Sequence, residues 1–211
     1  MKRLLPFILL LALIGCDNKD SGGGQAKVYD AIFIGDSITA NWVKESKGHP
    51  EFFKENNFLG LGFSGKTSSY LKTIFGAAVT KKSPKQVVIL CGTNDIAQND
   101  GVYVSNEEIR DNIAWMASEA EASGIRVVLC SVLPSTYFFW APAIHPEDII
   151  IQLNVLIKAL ATEKGYAYVD YHSALVDAKK GLPSQYSSDG CHPNQAGYTV
   201  MENLILPVLK K

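Results

Sequence analysis

Ser37 stands in Ala31-Ile-Phe-Ile-Gly-Asp-Ser-Ile-Thr39, where an apolar run breaks into Gly-Asp-Ser. Far downstream, Ser188-Asp-Gly-Cys-His-Pro-Asn194 sets Asp189 three residues before His192. A serine hydroxyl is a poor nucleophile until a base takes its proton, and a carboxylate beside an imidazole fixes its tautomer and supports the imidazolium. If the fold joins them, Ser37, His192 and Asp189 are a nucleophile, a base and an orienting acid, the minimal set for covalent acyl transfer.

A second segment argues for different chemistry. Gly60-Leu-Gly-Phe-Ser-Gly65 matches a dinucleotide-binding glycine pattern, and its extension through Lys66 and Thr67 matches the phosphate-loop pattern in full. A phosphate loop follows a robust first strand and needs a later strand ending in Asp to hold magnesium. Here the preceding Asn56-Asn-Phe-Leu59 is short and polar at its start, and Val87-Val-Ile-Leu-Cys91 runs on into Gly-Thr-Asn. The dinucleotide pattern wants an acid about 20 residues on, where this chain has Lys81, Lys82 and Lys85. Neither pattern gives Ser37 or His192 a role.

The elements that must position these residues read from periodicity. Short apolar runs near 30–35, 57–61, 87–91, 125–131 and 166–170 alternate with longer stretches of helical period, the pattern of β/α units on a parallel sheet. Ser105-Asn-Glu-Glu108 is a capping box, Ile109, Ile113, Met116 and Ala120 share one helix face, and Gly124 closes that helix. A second helix follows Pro146 with Ile149, Leu153, Leu156 and Leu160 on its face and Gly165 at its exit; the last, about 195–206, carries Tyr198, Met201, Leu204 and Ile205 inward and stops at Pro207. Right-handed crossovers make this an α/β protein, a three-layer α/β/α sandwich whose ligands bind at the carboxyl ends of the strands. Ser37, Gly65, Asn94 and the Asp189–His192 loop all fall at that edge.

Four ordered blocks, Gly35-Asp-Ser37, Gly62-Phe-Ser-Gly-Lys-Thr67, Gly92-Thr-Asn-Asp95 and Asp189-Gly-Cys-His192, make residues 28–211 resemble the SGNH, or GDSL, hydrolases. The resemblance implies a flavodoxin-like sandwich with a five-stranded parallel sheet and metal-independent ester hydrolysis, with no cofactor. Carried onto this chain, it makes Ser37 the nucleophile, His192 the base and later the acid, and Asp189 the orienting carboxylate. It makes the Ser37 and Gly65 backbone N–H groups and the Asn94 carboxamide the oxyanion hole. The second block departs from the family at Gly60, where Asn is common. Asp36 and Asp95 read as turn scaffolding, and His49, His145 and His172 as structural or exposed.

The chain's 211 residues, less a leader, suit one domain, and a formal net charge of -1 with 19% charged residues comes with no basic stretch for nucleic acid. Lys2-Arg3 and the apolar run Leu4–Ile14 form a signal peptide over 1–15, about half the length of a membrane span. Its end, Leu13-Ile14-Gly15-Cys16, resembles the lipobox of bacterial lipoproteins, which implies lipidation at Cys16 and a lipid-anchored place in the cell envelope. The polar, Gly/Ser-rich 16–27 reads as a tether. Cys91, Cys130 and Cys191 imply no disulfide framework, and Cys91 and Cys130 read as buried hydrophobes. Cys191, beside His192, is a rival nucleophile, but a cysteine enzyme leaves Ser37 unexplained.

Substrate contacts are expected from Leu133-Pro-Ser-Thr-Tyr-Phe-Phe-Trp-Ala-Pro-Ala-Ile-His-Pro146, an aromatic loop overhanging the catalytic edge. Tyr137 and Trp140, with Trp42, are the candidate walls. The reading is a serine ester hydrolase acting on a small acyl group such as acetyl on carbohydrate, or on a lysophospholipid. The alternatives are a nucleotide-binding protein using Gly60–Thr67 and a catalytically silent glycan- or lipid-binding lipoprotein.

Overall fold

A computed structural model describes residues 27–211, so the signal peptide, Cys16 and nearly all of the tether lie outside the described residues. Five strands, β1 (Ala31–Gly35), β2 (Phe58–Gly62), β3 (Gln86–Leu90), β4 (Arg126–Cys130) and β5 (Ala167–Val169), pair in parallel in the order β2-β1-β3-β4-β5. Each lies within a residue or two of its expected span.

The three inner strands β1, β3 and β4, buried on both faces, need apolar residues at nearly every position. Alternate side chains go to opposite layers. Ile32, Ile34, Val87, Ile89, Val127 and Leu129 pack under α3 (Ser68–Ala78), α5 (Asn106–Ala122) and α6 (Glu147–Lys164). Phe33, Val88, Leu90, Val128 and Cys130 pack under α1 (Ser37–Trp42), α2 (Pro50–Glu55), α7 (Tyr171–Leu175) and α8 (Gln195–Leu209). A short helix, α4 (Thr93–Ile96), follows β3.

Ser105 caps α5 as expected, its Oγ accepting the Glu108 N–H at 3.2 Å. Two helices depart from expectation. On α6 the fully buried face is Ile150, Leu153, Ile157 and Leu160, with Ile149 and Leu156 only half-buried. Three consecutive isoleucines, 149–151, leave the phase of that helix open in the sequence. Pro207 does not stop α8, which runs on to Leu209. A proline in the last turn forfeits one hydrogen bond, to the exposed Asn203, while Gln86 Nε2 donates to the Leu209 carbonyl (2.9 Å) and Arg126 Nη1 to that of Val208 (3.1 Å).

From β1 the chain crosses to β2 on one side and then to β3 on the other. The carboxyl ends of β1 and β3 therefore flank the switch point, where open parallel sheets bind ligands. Ser37 and Asn94 sit one and two residues into the helices that leave those ends.

Candidate active site

Ser37 is the first residue of α1, reached through a turn that Asp36 caps by accepting the Ile38 N–H at 2.9 Å. Its Oγ lies 2.9 Å from His192 Nε2, and His192 Nδ1 lies 2.8 Å from Asp189 Oδ2. An ionised carboxylate only accepts, so the imidazole proton sits on Nδ1 and Nε2 is the lone-pair end facing the serine. Ser37 and the distant Asp189–His192 pair are thus one hydrogen-bonded chain, half-buried and lining an open cleft of about 810 Å³.

The loop that carries Asp189 and His192 is built to hold them. Asp189 Oδ1 accepts the backbone N–H groups of Cys191 (2.9 Å) and His192 (2.8 Å). Buried Ser187, which sequence reasoning did not single out, donates to the His192 carbonyl (2.7 Å) and accepts from the Gly190 N–H (2.9 Å). Ser187 bridges to Pro193, and Asn194 caps α8 directly after, accepting the Gly197 N–H at 3.0 Å. Burial alone would raise the Asp189 carboxyl, but the backbone N–H groups of His192 and Cys191 and the His192 ring hold it below the ordinary carboxylate range.

Gly65 takes a left-handed turn, φ +76°, and its N–H finds no acceptor among the described residues. Asn94 is buried, and its Nδ2 donates to the Lys66 carbonyl at 3.0 Å, leaving that amide a second N–H. Its Oδ1 accepts from Asn99 Nδ2 at 2.7 Å. Asn99 is a second residue that sequence reasoning missed. It lies on an exposed turn outside all four blocks, and nothing in its neighbourhood signals contact with Gly65.

The other acids are structural in their contacts. Asp95 binds the Ser68 N–H through both oxygens (3.0 and 2.9 Å) and Ser68 Oγ at 2.5 Å, holding the start of α3. Burial pushes the Asp36 carboxyl up to about 6, and its Oδ2 has no hydrogen-bond partner among the described residues. Cys191 is buried, and its burial raises the thiol far above the range in which thiolate forms. His145 is exposed, and His49 pairs with Glu202 at 3.0 Å. His172 is half-buried, with its pKa lowered by that burial.

The phosphate-loop pattern has another physical origin. Gly60 and Gly62 lie inside β2, under α1: a Cβ on Gly62 would sit 1.9 Å from the Ala40 nitrogen, and one on Gly60 would sit 2.3 Å from Val43 Cγ1. These glycines let helix and strand touch. Lys66 lies over the Tyr70 ring, 4.7 Å from its centroid, and Thr67 donates to Asp100 Oδ2 at 2.6 Å.

Of the three expected walls, Trp42 is a correction. It is 1% exposed, stacked between Phe52 and Tyr198 with its Nε1 on Glu202 (2.8 Å), because the inward face of α1 points into the core rather than the cleft. The aromatic loop divides by residue. Phe138 is fully buried, and Trp140 stacks on it with centroids 5.0 Å apart, 6.0 Å from the His192 ring. Phe139, half exposed, lines the cleft, and exposed Tyr137 lies against Gly190. Lys44 and Lys47 also line the cleft. Among the described residues no helix is long and apolar enough to cross a membrane.

Residues 33–200 match the profile of the GDSL-like Lipase/Acylhydrolase family. A GDSL-like lipase from Bacteroides thetaiotaomicron superposes with a TM-score of 0.81 at 40% identity, covering 85% of this chain and 87% of that one. An acetylxylan esterase from Geobacillus stearothermophilus shares the fold at 20% identity, TM-score 0.70, over 86% of this chain and 94% of its own. Esterase TesA of Pseudomonas aeruginosa is 24% identical over 196 residues, 88% of this chain and 90% of TesA. The uncharacterized lipoprotein YqeF of Bacillus subtilis is 27% identical over 146 residues, 62% of this chain; the match spans only 56% of YqeF.

Proposed function

The chain belongs to the GDSL-like lipase/acylhydrolase family, and from that premise we propose that it is a serine ester hydrolase working through an acyl-enzyme on Ser37. The observation that carries this reading is the unbroken run from Ser37 Oγ to His192 Nε2 (2.9 Å) and from His192 Nδ1 to Asp189 Oδ2 (2.8 Å) at the sheet's switch point.

Ser37 Oγ attacks the ester carbonyl carbon as His192 Nε2 takes its proton, and Asp189 stabilises the imidazolium without itself accepting the proton. The carbonyl electrons move onto oxygen, where the N–H groups of Ser37 and Gly65 and the remaining Asn94 N–H meet the charge. Collapse expels the alcohol, protonated from His192 Nε2, and leaves the Ser37 ester. Water then attacks with His192 again as base, releasing the acid and the free serine.

The cleft supports a short acyl group on a polar carrier. Its lining includes the polar side chains of Asn41, Lys44, Ser46, Lys47, Ser64 and Gln195, with Phe139 the one large apolar side chain, and a long acyl chain needs an apolar channel to cover it. An acetylated carbohydrate fits this lining better than a lysophospholipid. A panel of acetylated xylan, acetylated sialic acid, lysophosphatidylcholine and acyl-CoA separates the two: turnover on an acetylated glycan supports the reading, and turnover on the lysophospholipid alone replaces it.

For the N-terminus the proposal is a signal peptide over 1–15, lipidation at Cys16 and a tether that holds the 28–211 domain at a bacterial envelope membrane. The YqeF similarity supports it.

A further inference from the structure

Gly65 and Asn94 come from different elements, the turn after β2 and the start of α4, yet an oxyanion site demands that their donors keep a common aim to within a fraction of an ångström. From α4, Asp95 grips Ser68 and Asn94 reaches the Lys66 carbonyl, but neither touches Gly65 itself. The turn that follows α4 reaches both Gly65 and Asn94.

Asn99 uses every polar atom of its side chain. Nδ2 donates to Asn94 Oδ1 (2.7 Å) and to the Gly65 carbonyl (3.2 Å), and Oδ1 accepts from Trp140 Nε1 (2.9 Å). Asn94 Nδ2 in turn donates to the Lys66 carbonyl (3.0 Å), so two joined carboxamides grip two successive carbonyls of the 63–66 turn. The next residue repeats the connection, since Asp100 accepts from Thr67 at the start of α3 (2.6 Å). Gln98, just before, has φ +57°, a left-handed conformation that costs a non-glycine residue about 1 kcal/mol or more. That strain is tolerated where it turns Asn99 and Asp100 back onto the 65–67 segment.

We propose that Asn99 is the positioning residue of the oxyanion site, fixing the Asn94 carboxamide and the Gly65 turn relative to one another, and that Trp140 ties this clamp to the aromatic loop. The proposal rests on the reading of Gly65 and Asn94 as oxyanion donors. A planar amide with Oδ1 held by Asn99 and one N–H held by Lys66 has a single direction left for its other N–H. Without Asn99, the Asn94 amide can turn end for end and present its oxygen to the developing anion. The Trp140 ring stacks on buried Phe138 and lies beside the His192 ring, so the clamp spans both halves of the catalytic apparatus.

The test is steady-state hydrolysis of p-nitrophenyl acetate by Asn99→Ala, Asn99→Asp, Trp140→Phe, Asn94→Ala and the Asn94→Ala/Asn99→Ala double variant, each checked by thermal melting. Asn99→Ala should lower kcat roughly 10- to 100-fold with KM within about twofold, less than the loss on removing an oxyanion donor outright. Asn99→Asp, which can accept from Trp140 but cannot donate to Asn94 or Gly65, should be as impaired as the alanine variant. Trp140→Phe, keeping the stack and losing the indole N–H, should fall between. The double variant should lose less than the product of the two single losses, because with Asn94 gone Asn99 has only the Gly65 turn left to hold. Asn99→Ala or Asn99→Asp folded and within about twofold of wild-type kcat, or losses that multiply in the double variant, overturn the proposal. Ser37→Ala run beside them keeps the two readings apart: its inactivity upholds the acyl-enzyme whichever way Asn99 behaves.

Discussion

At the scale of single residues, the site divides into groups that react and groups that hold. Asp36 adjoins Ser37, yet it caps α1, and its burial raises the carboxyl from 3.8 to about 6. Between those values the folded protein binds more proton than the unfolded chain, so this group makes stability fall as pH rises from about 4 to 6, by on the order of 3 kcal/mol in all. Asp95, also raised by burial, acts in the same sense; Asp189, held low, adds stability above the ordinary carboxylate pKa that is lost as pH falls. Asp36→Asn keeps the cap and removes the titration, so its melting temperature should fall less than that of wild type across pH 4–6. Identical slopes would show that Asp36 is not the group responsible. Cys191, buried beside His192, should resist iodoacetamide in the folded protein, and Cys191→Ala should keep activity within about threefold while losing on the order of 1–2 kcal/mol. Rapid inactivation by the reagent, protected by substrate, would contradict this.

At the scale of elements, Ser37 is placed by the contact of α1 with β2, and that contact depends on Gly62. Gly62→Ala should push α1 off the strand, costing more than about 2 kcal/mol and most of the activity. Gly76→Ala, on α3 where a Cβ meets only Thr80 Oγ1 at 3.6 Å, should raise stability by about 0.5–1 kcal/mol. Melting curves of the pair check both, and a Gly62→Ala protein with wild-type stability would dissolve the packing account of the glycine pattern. These elements were largely legible in the sequence, because β-branched runs and capping boxes are local signals: every strand and the starts of α5 and α6 lie where periodicity puts them. What was not legible is tertiary. Trp42 looked like a wall because its nearness to Ser37 in sequence hid which side of α1 it occupies. The α6 face was masked by adjacent isoleucines. Asn99 and Ser187 act through neighbours distant in sequence or through backbone atoms, which leave no pattern.

At the scale of the whole molecule, a catalytic domain follows an N-terminal segment whose Leu13-Ile14-Gly15-Cys16 predicts lipid attachment. Expressed in a bacterium that processes lipoproteins, the full chain should partition with membranes and take up labelled fatty acid, and Cys16→Ser should abolish the labelling. Labelling that survives this substitution would place the anchor elsewhere. Hydrolysis should not need the anchor, since each catalytic group and its support lies within 28–211. The central claim is that Ser37 forms the acyl-enzyme. Its most direct test is mass spectrometry of the protein after reaction with an organophosphonate, with p-nitrophenyl acetate hydrolysis followed in parallel. A single adduct on Ser37, lost together with hydrolysis in Ser37→Ala, is the predicted result; an adduct on another residue, or wild-type turnover by Ser37→Ala, would contradict it.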